Sequence, residues 1–206
     1  LASDTTFLPD GTARGTVTVK QTGAYAIESR SRARNLSPEE VEDALQEYFR
    51  TGDRQGFGKL QADDADALLD TYQFQVTFER PQALDLPGAG GLYVYSPYDT
   101  NGGIGRFAGQ GDDSQGDYPV ACTGGISEET HRLHLPEGMT VFAMPEDMHI
   151  ATDAMRYDAT YRRDGMTITT TRRLEDRTVG PVCTPAQFRE YQAQMRRVMR
   201  DLRGQV

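Results

Sequence analysis

Cys122, the histidines His131, His134 and His149, and the carboxylates Asp147 and Asp153 supply, in that chain order, the residue types of a nucleophile, a general base and a group to orient the base. The chemistry would be that of a cysteine enzyme. A thiolate nucleophile normally sits at a helix N-terminus, where backbone amides and the helix dipole lower its pKa. Cys122 instead closes the strand-like run 118–122 and enters Thr-Gly-Gly, with no helical pattern behind it. That context argues against catalysis, and no catalytic residue is assigned.

The spacing His131-x-x-His134 invites a metal reading, because residues three apart share a helix face. The segment 129–135 reads as a strand, however, where odd separations point to opposite faces. His131 then lies beside Leu133 and Leu135, and His134 beside Arg132. Asp112, Asp113 and Asp117, and the shorter Asp99-Thr-Asn101-Gly102, lack the alternating register of a calcium loop. Neither GxxxxGK[ST] nor GxGxxG after a strand occurs, so no cofactor is expected. Tyr93, Tyr95 and Tyr98, on a Gly-rich stretch, are the candidate binding residues. Such aromatics can stack on sugar rings or anchor another domain, or can pack beneath their own loop.

Two cysteines, Cys122 and Cys183, are too few for a structural zinc site. A single disulfide, two buried thiols and one reactive thiol are the open choices. A net charge of −9 and a pI near 4.8 argue against nucleic acid or an anionic membrane as a partner, since a phosphate-tracking surface needs a clustered basic patch. The cluster Arg30, Arg32, Arg34 is followed at once by Glu39, Glu40, Glu42 and Asp43 and reads as a solvated face. With 37% hydrophobic residues in 206, the chain can still build a core. No stretch is long and apolar enough for a membrane span, and no signal-like segment opens the chain. A first residue that is Leu rather than Met points to a processed product or a fragment.

The elements that must position these residues emerge from periodicity. Pro9-Asp10-Gly11 between β-prone runs predicts a hairpin, and residues 23–34 permit a short helix. Ser37, Pro38 and Glu40 form a capping box that opens a helix over 37–51. Its stripe of Val41, Ala44, Leu45, Tyr48 and Phe49 faces the core, and Gly52 ends it. Residues 72–80 alternate as a half-buried strand. The stretch 87–117, rich in Gly, Asp and Ser, reads as a linker or long loop. Strands are predicted over 118–122, 129–135, 139–143 and 147–151. A stronger pair around Asp164-Gly165 runs through Met155, Tyr157, Ala159 and Tyr161, then Met166, Ile168, Thr170, Arg172 and Leu174. Thr184, Pro185 and Gln187 cap a closing helix over 184–203, with a stripe from Phe188 to Leu202.

The runs Leu133-His-Leu-Pro-Glu-Gly-Met139 and Met144-Pro-Glu-Asp-Met-His-Ile150, the segment from Tyr157 to Ile168, Arg172-Arg-Leu and the closing helix together resemble large bacterial transglutaminase-like proteins. In that family a papain-like core precedes a strand-rich C-terminal region. The first half, from the Asp10-Gly11 hairpin to Phe78, is similar to the region directly after that core. The resemblance implies a fragment lying C-terminal to the core, with the family's nucleophile, histidine and aspartate upstream of it. It also implies export to the periplasm or cell envelope, which would suit a disulfide between Cys122 and Cys183.

The resulting expectation is an α+β, mostly antiparallel fold with a β-sandwich-like C-terminal unit closed by an amphipathic helix. Residues 1–86 form an α+β subdomain, 87–117 the linker, and 118–206 an antiparallel β subdomain. The expected role is that of a non-catalytic accessory region whose partner is the rest of its own larger protein, or else a cell-envelope protein or glycan. A glycan- or peptide-binding module using Tyr93, Tyr95 and Tyr98 is the first alternative, and an independent cysteine enzyme the second.

Overall fold

Two Asp-Gly turns organise the chain. The first joins β1 (Ala2–Phe7) to β2 (Ala13–Thr22), which pair antiparallel with Phe7 opposite Ala13. Gly11 sits there at a φ of 81°, and a Cβ on it would collide with the Leu84 carbonyl, so glycine is required twice over. The second turn joins β8 (Met155–Asp164) to β9 (Thr167–Asp176), with Gly165 at a φ of 58°.

The structure, a computed structural model, describes residues 1–86, 88–98, 103–105, 118–122, 124–178 and 180–206. Among these, one sheet of eight strands runs in the order β3-β4-β2-β1-β6-β9-β8-β7. Its other members are β3 (Phe57–Ala62), β4 (Thr71–Arg80), β6 (Gly125–His134) and β7 (Met148–Ala151). Neighbours pair antiparallel except β1 and β6, which are parallel with Ser3 opposite His131. Residues 1–86 and 118–206 thus meet in one continuous sheet. Val94 and Ile104, from the stretch between them, are fully buried. A short ribbon of β5 (Val120–Ala121) and β10 (Val182–Cys183) lies apart.

The helices are α1 (Gly23–Ala33), α2 (Pro38–Tyr48) and α3 (Pro185–Leu202). The Ser37–Glu40 and Thr184–Gln187 capping boxes both form, each closing two backbone donors that helix geometry leaves open. This is the expected α+β, mostly antiparallel fold, with a sandwich-like C-terminal half closed by α3.

Strand register puts the buried side chains on one face of the sheet. Val17, Val76, Leu133, Ile168, Leu174 and Tyr157 point inward, while Thr16, Thr77, Arg132, Thr169, Arg173 and Asp158 point to the other, wetter face. Two apolar clusters occupy the inner face. One holds Leu45 and Phe49 of α2 against Val17, Val76 and Phe78, and the other packs Tyr191, Met195 and Val198 of α3 against Met155, Tyr157 and Leu174.

Three details differ from the sequence reading. Residues 139–143 form no strand; they line a groove instead, with Phe142 90% exposed. The edge strand β3 carries no strand signal of its own, because its apolar positions are reduced to Leu60 between Gly58 and Ala62. The α2 stripe is also incompletely covered. Leu45 and Phe49 are buried, but Ala44 is exposed, Tyr48 is 46% exposed, and the helix ends at Tyr48. Amphipathic spacing says which face can be buried, and the neighbours decide how much of it is.

Candidate functional site

A concentration of chemistry-bearing side chains lies between the two apolar clusters, on the inner face of β6, β8 and β9. Strand alternation aims Glu129 and His131 of β6, and Thr170 and Arg172 of β9, inward in phase with Leu133, Ile168 and Leu174. Ser3 enters from the parallel neighbour β1 opposite His131. Asp201 descends from the last turn of α3.

These groups engage one another. The ring of His131, fully buried, bridges Ser3 Oγ at 2.8 Å from Nδ1 and Glu129 Oε2 at 3.2 Å from Nε2. Glu129 Oε1 accepts the Ile104 amide at 2.5 Å. Arg172, whose side chain is wholly enclosed, donates from Nη1 to the Val94 carbonyl at 2.6 Å and from Nη2 to Tyr161 Oη at 3.1 Å. Its Nε faces Asp201 Oδ2 at 3.5 Å, and Tyr157 Oη donates to the same Oδ2 at 2.5 Å. Burial pushes the Glu129 carboxyl up, but His131, the Ile104 amide and Arg172 outweigh it and hold it below its ordinary 4.5. Burial also pushes the phenol of Tyr161 up to about 12, and burial with Asp201 raises that of Tyr157.

Serine, histidine and glutamate in hydrogen-bonded sequence are the residue types of a hydrolytic relay. Here the parts are spent on structure. Ser3 is 4% exposed, the serine meets Nδ1 rather than Nε2, and the carboxylate is already engaged by a backbone amide and Arg172. The band instead clasps the backbone to the sheet at Val94 and at Ile104.

The anticipated residues fall in different places. Tyr93 and Tyr95 flank the clasped Val94 and project outward, 45% and 52% exposed, with ring centroids 6.0 Å apart. Tyr98 turns inward and packs edge-on against Tyr48 at 5.0 Å and beside Phe49. The three therefore do not form one aromatic surface. Cys122 and Cys183 are joined in a disulfide across the β5–β10 ribbon, with Cα atoms 5.5 Å apart. Neither is then a thiol, so the Cys–His–Asp trio is not assembled. His131 and His134 lie on opposite faces of β6, as strand geometry requires: the first is buried and the second reaches Asp4 at 3.1 Å. His149 meets Asp158 at 2.5 Å, and Asp147 holds Arg162 at 2.7 Å. Asp99, Asn101, Asp112, Asp113 and Asp117 lie outside the described residues.

Sequence reasoning passed over Ser3, Glu129, Arg172 and Asp201. A signal for two of them was present, since Glu129 and Arg172 stand in phase with leucines and isoleucines on alternating strands. A charge on a buried phase must be paired. Nothing local marks Ser3 or Asp201, because their partners are 128 and 44 residues away.

The fold and this interior define a strand-rich α+β protein whose ionisable groups fasten a surface segment. Residues 109–206, which carry β5 to β10 and α3, match the family DUF3858, a domain of unknown function with a solved structure. That match assigns no activity and no link to transglutaminase-like proteins. No curated protein and no solved structure matches the chain.

Proposed function

We propose that this chain is a non-catalytic accessory region of a larger, exported transglutaminase-like protein, acting by contact with the rest of that protein or with the cell envelope. The observation that carries the reading is the Arg172 clasp. A fully buried guanidinium is committed to the Val94 carbonyl, which immobilises a surface segment bearing two exposed tyrosines. Rigid, exposed aromatics held by a buried support are the makings of a contact surface, since little side-chain entropy is lost when they are covered. The Cys122–Cys183 disulfide is compatible with an oxidising, extracytoplasmic setting. No helix among the described residues is long and apolar enough to cross a membrane.

The test is the coding sequence upstream of Leu1 together with a binding measurement. The reading expects a Cys–His–Asp core encoded there, and it expects this chain, added in trans, to associate with that core. The double variant Tyr93→Ala/Tyr95→Ala should weaken that association at least tenfold. An upstream region without such a core, or a core indifferent to this chain, overturns the proposal.

A second reading, a glycan- or peptide-binding module, is favoured by the two exposed, neighbouring rings of Tyr93 and Tyr95, which offer apolar faces and hydroxyls side by side. Tyr98 is not part of it, being turned onto Tyr48. A glycan and peptide array that stays silent, or signals that survive Tyr93→Ala/Tyr95→Ala, would sink it.

A further inference from the structure

At the opposite end of the sheet, β3 is an edge strand, so one side of its backbone offers unpaired amides and carbonyls. Beside that edge lies a groove of about 650 Å³. Its apolar lining includes Leu36, Val41, Leu45, Leu60 and Tyr72, from the α1–α2 connection, α2, β3 and β4. The groove opens because α2 touches β3 closely at one point. Gly58 has no Cβ, which lets Leu45 and Phe49 settle onto the strand there, while Val41 and Leu60 stand partly open further along. Of the groove's lining, Leu36 and Phe57 are 52% and 48% exposed, and in the β3–β4 connection Leu68 and Leu69 are 99% and 54% exposed. An exposed apolar collection of that kind normally marks an interaction surface.

The rims are acidic. Glu42 lines one side, with Glu39 three residues earlier on the same helix face; Asp63 lines the other, followed by Asp64. Among the described residues these four carboxylates make no ion pair, whereas Arg34 is already engaged by Asp66 and Arg30 by the Leu69 and Thr71 carbonyls. Among the described residues, Lys59 is the one basic residue lining the groove.

We propose that this groove takes an extended, lysine- or arginine-bearing segment of a partner protein, which adds to β3 as a ninth strand. Main-chain hydrogen bonds to the open edge supply affinity, while groove-facing side chains two residues apart put apolar groups over Leu60 and Val41 and a cation at each end of that row, against Glu39 and Glu42 or Asp63 and Asp64. The site is remote in sequence from the tyrosine pair and stands on its own observations.

The probe is a fluorescein-labelled eight-residue Lys–Val peptide, Lys-Ser-Val-Ser-Val-Ser-Lys-Ser, and its counterpart is the Asp–Val peptide with Asp in place of each Lys. Anisotropy should show saturable binding of the Lys–Val peptide that weakens with added salt, and no binding of the Asp–Val peptide. Glu39→Lys/Glu42→Lys should lower affinity at least tenfold in a protein that still unfolds in one cooperative transition, and Tyr93→Ala/Tyr95→Ala should leave the affinity unchanged. Backbone amide shifts on titration into the unsubstituted protein should map to Phe57–Ala62 and α2, which settles the location even where a variant fails to fold. Absence of Lys–Val binding, equal binding of both peptides, or shifts that map elsewhere overturns the inference. Because the tyrosine variant is tested in parallel, failure here is distinguishable from failure of the accessory-region reading.

Discussion

The two ends of the sheet are built from the same materials and finished differently. At the β8–β9 end, α3 lays six buried residues against the strands, Tyr191, Met195 and Val198 among them, and Asp201 closes a charged band beneath it. At the β3–β4 end, α2 has the same kind of capping box and apolar stripe, yet buries Leu45 alone within its own length, with Phe49 just beyond. Both helices are amphipathic. What separates them is the partner: α3 finds a broad inner face on β8 and β9, whereas α2 hangs over an edge strand whose inner side is glycine, leucine and alanine. One end is completed within the chain, and the other keeps apolar surface to share.

Arg172→Ala should break the completed end most severely. It leaves Glu129 and Asp201 buried without their counter-charge, at a cost of roughly 3–5 kcal/mol, read as a lower midpoint in urea unfolding. The same band has a pH signature. Glu129 is held below its ordinary 4.5 in the fold, so its contribution is fully present above that pH and is lost as pH falls through the lower, folded value. Tyr161, raised to about 12, contributes below pH 10 and loses that contribution as pH climbs through its folded value. Stability followed from pH 2 to pH 7 should therefore fall on the acid side, and Glu129→Gln should flatten part of that slope. Unchanged acid sensitivity in Glu129→Gln would remove the band from the account.

Removing the disulfide is the next largest change. Cys122→Ser/Cys183→Ser opens a crosslink with a sequence separation of 61, and roughly 2–4 kcal/mol should be lost, measured against the oxidised protein. Leu45→Ala should cost about 2 kcal/mol, near the lower end for a buried leucine, because the open groove beside it lets the site relax. A loss near 5 kcal/mol would mean the α2 end is as tightly packed as the α3 end. Smallest of all, Leu68→Ala, at a residue 99% exposed, should stay within about 0.5 kcal/mol, as for ordinary surface positions.

Much of this architecture was legible in local pattern. The Asp10-Gly11 and Asp164-Gly165 turns, the Ser37 and Thr184 caps and the alternation through Met155–Asp164 and Thr167–Asp176 are short-range signals, and each produced the expected element. The opposite placement of His131 and His134 also comes from strand periodicity. The misses have a common cause. Residues 139–143 carry strand-like apolar residues but find no strand to pair with, and β3 is strand by pairing to β4 rather than by its own composition.

The sequence by itself determined the two Asp-Gly turns, the two capped helices, the β8–β9 pair and the inward phase of Glu129, His131 and Arg172, because turn chemistry and periodicity act over a few residues. Tertiary structure decided what that phase was for. Ser3 reaches His131 through a parallel pairing of β1 with β6, and Asp201 reaches Arg172 through the docking of α3. Such contacts depend on strand order and helix placement, which no local spacing encodes. The same holds for the three tyrosines: their spacing made them candidates together, and the clasp at Val94 turned Tyr93 and Tyr95 outward while Tyr98 packed in.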